Sequence, residues 1–335
     1  MILPLLLGII AMIISWVASL IYRDYAKKKG LVAKLNFRTL HEKETPKGGG
    51  LVVAIVSNLF IYLAWYLDLI NDPRTILAFV LGFLISTFGF YDDLRNIKAS
   101  FKLFFQLLFS LAVLIIVIPL SPNVLNFLNI FYFMIILLVL TWNLNALNFM
   151  DGIDGLAASI GTSIFLSSFL IFTYISEDYS RLFELVILGF CFTGFLFVNL
   201  SKNKLFMGDS GSLFLGLLIN FLLVKTIYEN IYTFWFWIIL LSYCLTETIA
   251  TTAYRIIYFK KWYGAHRSHA YQNLARVIDN HFLVSLGIII YHIFWLAPLA
   301  LLSITNPNLL ALYLVLAIFP VLVFNLFYGP RFSDK

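Results

Sequence analysis

Asn145-Ala-Leu-Asn-Phe-Met-Asp-Gly-Ile-Asp-Gly-Leu156 breaks a stretch of apolar sequence that would otherwise run from residue 127 to 175. The pieces on either side, 127–147 and 156–175, are each long enough for a helix to cross ~30 Å of hydrocarbon. One membrane span therefore ends here and the next begins. A carboxylate drawn toward hydrocarbon costs ~2.5–3.5 kcal/mol even on the lenient insertion scale, so acidic residues at such a boundary read as functional. A helix N-cap needs only one polar side chain. Two amides, two carboxylates and two glycines exceed that need. Asp151 and Asp154, three apart, are expected to project to one side of the opening turn of the following span, and Gly152 and Gly155 to let the backbone approach a ligand.

The rest of the chain is of the same kind. Of 335 residues, 61% are hydrophobic and 12% charged, with 34 Phe and 18 Tyr. The mean hydropathy is +0.93. A soluble domain carries about 25% charged residues, so that class is excluded. The sequence predicts an all-α polytopic membrane protein of about eleven spans, at 1–21, 50–67, 73–91, 101–119, 127–147, 156–175, 182–200, 211–228, 231–257, 282–304 and 308–328. The first run has no basic residue ahead of its apolar core, which argues for a retained span rather than a cleaved signal peptide. Cys191 and Cys244 lie inside apolar runs, so no disulfide framework is implied. The polar stretches 22–50 and 258–281 fall below the ~40-residue limit for an independent domain, and residues 1–335 read as one membrane domain.

The order of the spans fixes which loops share a face. Twenty of the 23 Lys and Arg residues fall on one side; only Arg74, Arg181 and Lys225 flank the other. A Lys/Arg excess marks the cytoplasmic side, which puts the N-terminus outside and the C-terminus in the cytoplasm. The net charge of +6 follows from this asymmetry and calls for no nucleic acid. The loops 41–50, 92–102, 145–156, 199–212 and 260–276 all share the basic face. The opposite connections are short and are expected to hold no ionisable cluster.

Three further constellations stand on the basic face. Asp92-Asp93 ends the third span, at the end of a helix dipole that disfavours negative charge. A solvated cap balanced by Arg95 and Lys98 is the plain explanation; a site for a cation or for proton abstraction is the functional one. Lys102 and Gln106 share one face of the fourth span at i,i+4 spacing. Met207-Gly-Asp209-Ser-Gly-Ser212 opens the eighth span, with Asp209 placed to cap it and glycines and hydroxyls suited to a phosphate. His266-Arg267-Ser-His269 offers bidentate arginine contacts to phosphate, with a zinc site as the lesser alternative. Carboxylates facing basic groups around glycines suit Mg²⁺, with Mn²⁺ as a substitute, because Mg²⁺ uses one or two carboxylates plus substrate phosphates. That chemistry points to phosphoryl transfer onto a membrane-held acceptor.

At these residues the chain resembles the polyprenyl-phosphate N-acetylhexosamine-1-phosphate transferases, or glycosyltransferase family 4. The matching segments are Thr45-Pro-Lys47-Gly-Gly-Gly50, Asp92-Asp93 with Lys102 and Gln106, 145–156, Asn199 with Lys204 to Gly211, and 266–272. The resemblance implies transfer of a sugar-1-phosphate from a UDP-N-acetylhexosamine to undecaprenyl phosphate, with release of UMP, at the inner (cytoplasmic) membrane. It implies Asp209 as a Mg²⁺ ligand with Asn148 beside it, Asp92 with Asp93 in support as the catalytic pair, and Lys47, Lys102, Asp151, Asp154, Asn199, Lys204, His266, Arg267 and His269 as substrate-binding. The loop 266–272 is similar to the branch that uses UDP-N-acetylfucosamine-type sugars to start O-antigen chains, and a homodimer is compatible with the family. Two departures stand out: Ser201-Lys-Asn-Lys204 lacks a proline common before the lysine, and Glu247 replaces an aspartate of the ninth span. A membrane prenyltransferase would want a third aspartate where Asn96 stands, and a transporter would carry its charges near the midplane on repeated halves.

Overall fold

A computed structural model of the chain describes residues 2–33, 44–95, 97–119, 127–176, 182–259 and 266–333. The expected loops 41–50, 92–102 and 260–276 thus lie partly outside the described residues, at 41–43, 96 and 260–265. The helices are α1 (Ile2–Lys28), α2 (Gly49–Tyr66), α3 (Pro73–Arg95), α4 (Ala99–Val117), α5 (Phe127–Phe149), α6 (Leu156–Ile175), α7 (Phe183–Asn199), α8 (Asp209–Tyr228), α9 (Phe234–Tyr258), α10 (Ala270–Ile278), α11 (His281–Tyr291), α12 (Ala297–Thr305), α13 (Leu310–Tyr328) and α14 (Pro330–Ser333). Ten helical segments among the described residues are long and apolar enough to cross a membrane, α11 and α12 counting as one of them through a wider turn at His292–Leu296. The eleventh expected span is α7, whose 17 residues reach only ~25 Å. One two-stranded ribbon, β1 (Val32–Ala33) with β2 (Thr45–Pro46), interrupts the all-helical pattern.

The helix α8 forms the axis of the bundle. Every residue from 210 to 226 is buried, and α2, α3, α4 and α5 all pack on it. A helix that is apolar all round belongs at a centre. In lipid, helices gain nothing from burying grease alone, so close backbone approach and hydrogen bonds hold them. Gly194 of α7 lies where a side chain would strike the α1 backbone at Met12, and Ser15 of α1 donates to the Cys191 carbonyl at 2.8 Å. Asn143 of α5 donates to Asn220 of α8 at 2.7 Å, and Asn220 donates to the Leu140 carbonyl at 2.9 Å. Both cysteines are buried and free.

The end of the bundle remote from the Asp209 loop corrects one expectation. Instead of lacking ionisable clusters, it gathers Asp72, Arg74, Glu184, Lys225 and Glu229. Lys225 donates to Glu184 at 2.7 Å and to Thr75 at 3.1 Å, and Arg74 joins Asp72 to Glu229. Lys225 and Glu184 are 2% and 1% exposed. The contacts join residues up to 155 positions apart, and no local pattern signals them. Lys225→Met strands a buried carboxylate and should lower stability by about 3–5 kcal/mol; adding Glu184→Gln should restore most of it. Thermal unfolding in detergent measures both.

Candidate active site

The opposite end is organised by the first turn of α8. Gly208 precedes it at φ 71°, a conformation open to glycine, and leaves no room for a side chain because Asp93 lies against it. The Asp93 carboxylate accepts from the Asp209 N–H at 3.3 Å and the Ser210 N–H at 3.5 Å. Asp93 of α3 therefore caps α8 in trans, where the helix dipole favours an anion. Asp209 was expected to cap; as the first helical residue it instead projects its own carboxylate toward Lys102 and Asn148.

Around Asp209 the predicted residues come together. Lys102 of α4 forms ion pairs with both Asp92 and Asp209, and the Asp92 and Asp209 carboxyls adjoin. Arg95 and Lys98, the partners of the plain reading, are exposed. Asp92 also accepts from the Ile97 N–H at 2.6 Å. Asn148 donates to Asp209 at 3.0 Å and to Ser212 at 2.9 Å, so its amide orients the carboxylate. Gln106, a helical turn beyond Lys102, accepts from Asn145 at 2.8 Å. Lys47 faces Asp93. Burial pushes the Asp151 carboxyl up, and the nearby Asp209 and Asp93 carboxylates push it further.

Asp154 faces elsewhere. The turn 150–155 is not helical and α6 starts only at Leu156, so the three-residue spacing does not place Asp151 and Asp154 on one side. Asp154 pairs with Lys204 and accepts from His281 at 2.9 Å. Burial alone would raise its carboxyl; the His281 hydrogen bond and Lys204 outweigh that and hold it below the usual carboxylate range. A depressed carboxyl contributes stability that is present above the unfolded value of 3.8 and lost as pH falls through the folded value. Asp154→Asn should therefore cost roughly 1 kcal/mol at neutral pH, Lys204 being partly screened by solvent, and in detergent melts the deficit should close only as pH falls below 3.8.

The remaining predicted residues are spread more widely. Asn199 accepts from the Gly155 N–H at 2.7 Å and donates to the Leu205 carbonyl at 2.8 Å, so both ends of its amide hold the chain together rather than face solvent. The space beside Gly152 holds Tyr271 and Gln272, and that beside Gly155 holds Leu200. These glycines admit protein, not a ligand. His269 is buried against Glu247 at 2.8 Å. His266 stacks on it with ring centroids 4.9 Å apart and bonds Ser268 at 2.9 Å. Burial, His269 and Arg255 bring the His266 imidazole down to about 3, so it is uncharged at neutral pH and offers no cation to a phosphate. The Arg267 carbonyl accepts from Arg276. Sequence reasoning passed over His281 and Asn273; His281 lies far along the chain from the aspartate it touches, and Ser212, read as a phosphate hydroxyl, instead accepts from Asn148.

On the Asp154 side of this end opens a polar basin of about 660 Å³, lined by Arg23, Lys27, Lys202 and Lys204 and equally by Asp24, Glu44, Asp154 and Asp279. Formally, Asp92, Asp93, Asp151 and Asp209 face Lys47 and Lys102, four negative charges against two positive. That deficit and the all-oxygen donor set suit a hard divalent cation. Among the described residues no three His, Cys, Asp or Glu side chains could enclose a metal by themselves. Mg²⁺ needs no such trio when substrate phosphates complete its shell.

A family model, glycosyl transferase family 4, matches residues 75–227, the segment that carries Asp92, Asp93, Lys102, Asn148, Asp151, Asp154, Asn199, Lys204 and Asp209. A relative from Bacillus subtilis, "Probable undecaprenyl-phosphate N-acetylglucosaminyl 1-phosphate transferase", is 28% identical over 93% of this chain and 89% of its own length. The chain is also similar to the phospho-N-acetylmuramoyl-pentapeptide-transferase of Streptococcus mutans, 28% identical over 83% of this chain and 88% of the relative. The decaprenyl-phosphate N-acetylglucosaminephosphotransferase of Mycolicibacterium smegmatis is 30% identical over 64% and 58%. The family match, just under half of the chain, and these relatives support a membrane sugar-1-phosphate transferase. The family model stops short of His266, Arg267 and His269 and begins after Lys47, so it lends those four no support.

Proposed function

We propose that this membrane protein moves an N-acetylhexosamine-1-phosphate from its UDP-sugar to undecaprenyl phosphate on the cytoplasmic face of the inner membrane, releasing UMP. The observation that carries the reading is the convergence of Asp92 and Asp209, from two different helices, on Lys102, with Asp93 capping the turn that carries Asp209, at one end of an apolar bundle. An oxygen of the lipid phosphate attacks the sugar-bearing phosphorus of the donor. The bond to the bridging oxygen breaks, and UMP leaves with that oxygen. Asp209, oriented by Asn148, would hold Mg²⁺, which when bound neutralises charge on the pyrophosphate. Asp92, beside the Lys102 ammonium, takes the proton of the lipid phosphate or aligns it. Asp93 keeps the α8 N-terminus and hence Asp209 in place. Lys202, Lys204 and Arg23 offer cations to the anionic nucleotide in a basin that also holds Asp24, Glu44 and Asp279, and the neutral His266 suits a sugar hydroxyl or amide better than a phosphate.

The finer reading, a UDP-N-acetylfucosamine-type donor feeding O-antigen assembly, is supported by the sequence of the loop 266–272. A panel of UDP-N-acetylhexosamines and UDP-N-acetylmuramoyl-pentapeptide, each offered with undecaprenyl phosphate and Mg²⁺, tests both levels. Product from a fucosamine-type donor supports the branch; product only from another donor removes it; no product from any donor removes the reaction. Exchange of labelled UMP into donor without lipid would replace direct attack with a covalent intermediate.

A further inference from the structure

Glu247 lies within α9, wholly shielded from solvent, yet its carboxylate is fully engaged. One oxygen sits 2.8 Å from His269 Nδ1; the other accepts from the Ala270 N–H at 2.8 Å and lies 3.3 Å from the Thr251 hydroxyl. Thr251 is equally 3.3 Å from Asn325 of α13. The Ala270 N–H opens α10, so a buried anion stands at that helix N-terminus. A carboxylate can only accept, which fixes the proton of His269 on Nδ1.

From this anchor two lines of contact reach the donor side of the site. The His269 ring lies among Phe149, His266 and Tyr271, at centroid distances of 5.6, 4.9 and 5.6 Å, so its orientation sets that of His266. The helix α10 is held at its other side by Asn273, which donates to the Tyr328 carbonyl at 2.6 Å and the Gly329 carbonyl at 3.1 Å. It abuts the loop of the carboxylate site, since Tyr271 donates to the Phe149 carbonyl and the space beside Gly152 is filled by Tyr271 and Gln272. Asn148 and Asp151 stand next to those two contacts in the chain.

We infer that Glu247 is a positioning residue that fixes the donor side of the site, orienting His266 through His269 and the 148–151 turn through α10, without touching a reacting group. This rests on the transfer reading above. It also gives the last span a role, because α13 closes the bracket around α10. An amide at position 247 must turn an N–H toward His269 Nδ1 or the Ala270 N–H, setting donor against donor unless the His269 proton moves to Nε2. An aspartate keeps the charge.

The test compares wild type, Glu247→Gln and Glu247→Asp for kcat, for KM of each substrate, for melting in detergent, and for the His269 tautomer by ¹⁵N NMR. Glu247→Gln should lose roughly 10–100-fold in kcat/KM for the UDP-sugar, the usual scale for groups that orient a functional histidine, with the KM for undecaprenyl phosphate little changed. Its His269 proton should move to Nε2, and Glu247→Asp should recover most of the loss. The inference is overturned by an unchanged donor KM, by equal effects on both substrates, or by an unmoved tautomer. Should Glu247→Gln not fold, a folded Glu247→Asp with wild-type values and an Nε2-protonated His269 also overturns it. A wild-type protein that transfers nothing would sink the reaction while the tautomer readout still judged the anchor.

Discussion

Asp209→Asn should abolish Mg²⁺-dependent transfer, by at least about 10³-fold in kcat, while the protein remains folded in detergent. Asp209 adjoins Asp92 and lies near Asp93 and Asp151, so removing its charge relieves repulsion, which offsets the loss of its ion pair with Lys102; Lys102 keeps its pairing with Asp92. The variant should accordingly melt near the wild-type temperature when Mg²⁺ is withheld. Adding Mg²⁺ at a hundredfold excess over its dissociation constant should stabilise wild type by about 2.7 kcal/mol and the variant by much less. Chelation should reverse that gain. Asp93→Asn makes a useful contrast. An asparagine oxygen can still accept from the α8 amides, so its loss should be smaller and should leave the Mg²⁺ shift in place. Near-normal turnover by Asp209→Asn, or an undiminished Mg²⁺ shift, would take Asp209 out of the metal site.

The spans were legible because in a membrane the length of an apolar run is itself a structural requirement, and span order then put four separated polar clusters on one face. Contacts Lys102–Asp209, Asn148–Asp209 and Lys204–Asp154 agree with that grouping. What stayed hidden was which side chain meets which. Asp92 and Asp93 look like a pair, yet neighbours on a helix point about 100° apart, and one meets Lys102 while the other caps α8. Asp151 and Asp154 share a side only if a helix runs through them, and the chain turns there instead. The family resemblance implies Asn199 as a substrate contact, but a buried amide must satisfy both its ends, and the Gly155 and Leu205 backbone does so. Lys225 and Arg74 read as isolated flanking charges because their partners Glu184 and Glu229 lie far along the chain.

Gly50→Ala should inactivate the enzyme although the residue carries no side chain to take part in the chemistry. Gly50 opens α2 and meets Gly211 in the first turn of α8 backbone to backbone; a Cβ there would overlap the Gly211 Cα and N. Neither atom can swing aside as a side-chain tip would. The same turn is held by the Gly49 N–H on the Phe206 carbonyl at 2.9 Å and the Gly50 N–H on the Met207 carbonyl at 3.0 Å, and by Gly89 of α3, where a Cβ would fall on the Asp209 carbonyl. An alanine at position 50 therefore pushes α8 away from α2 at the level of Gly208 and Asp209. The Asp93 cap opens, and the Asp209 carboxylate leaves its place between Lys102 and Asn148. A displacement of about 1 Å at reacting groups can cost 10²-fold in rate, so kcat should fall by roughly that much or more. Stability should fall as well, by about 1–3 kcal/mol as for overpacked cores. Gly287→Ala provides the control, because nothing lies within 4 Å of the added carbon and alanine favours the helix. That variant should keep wild-type transfer and melt no lower. Equal activity in the two variants would show that the close approach of α2 to α8 does not set the geometry of the carboxylates.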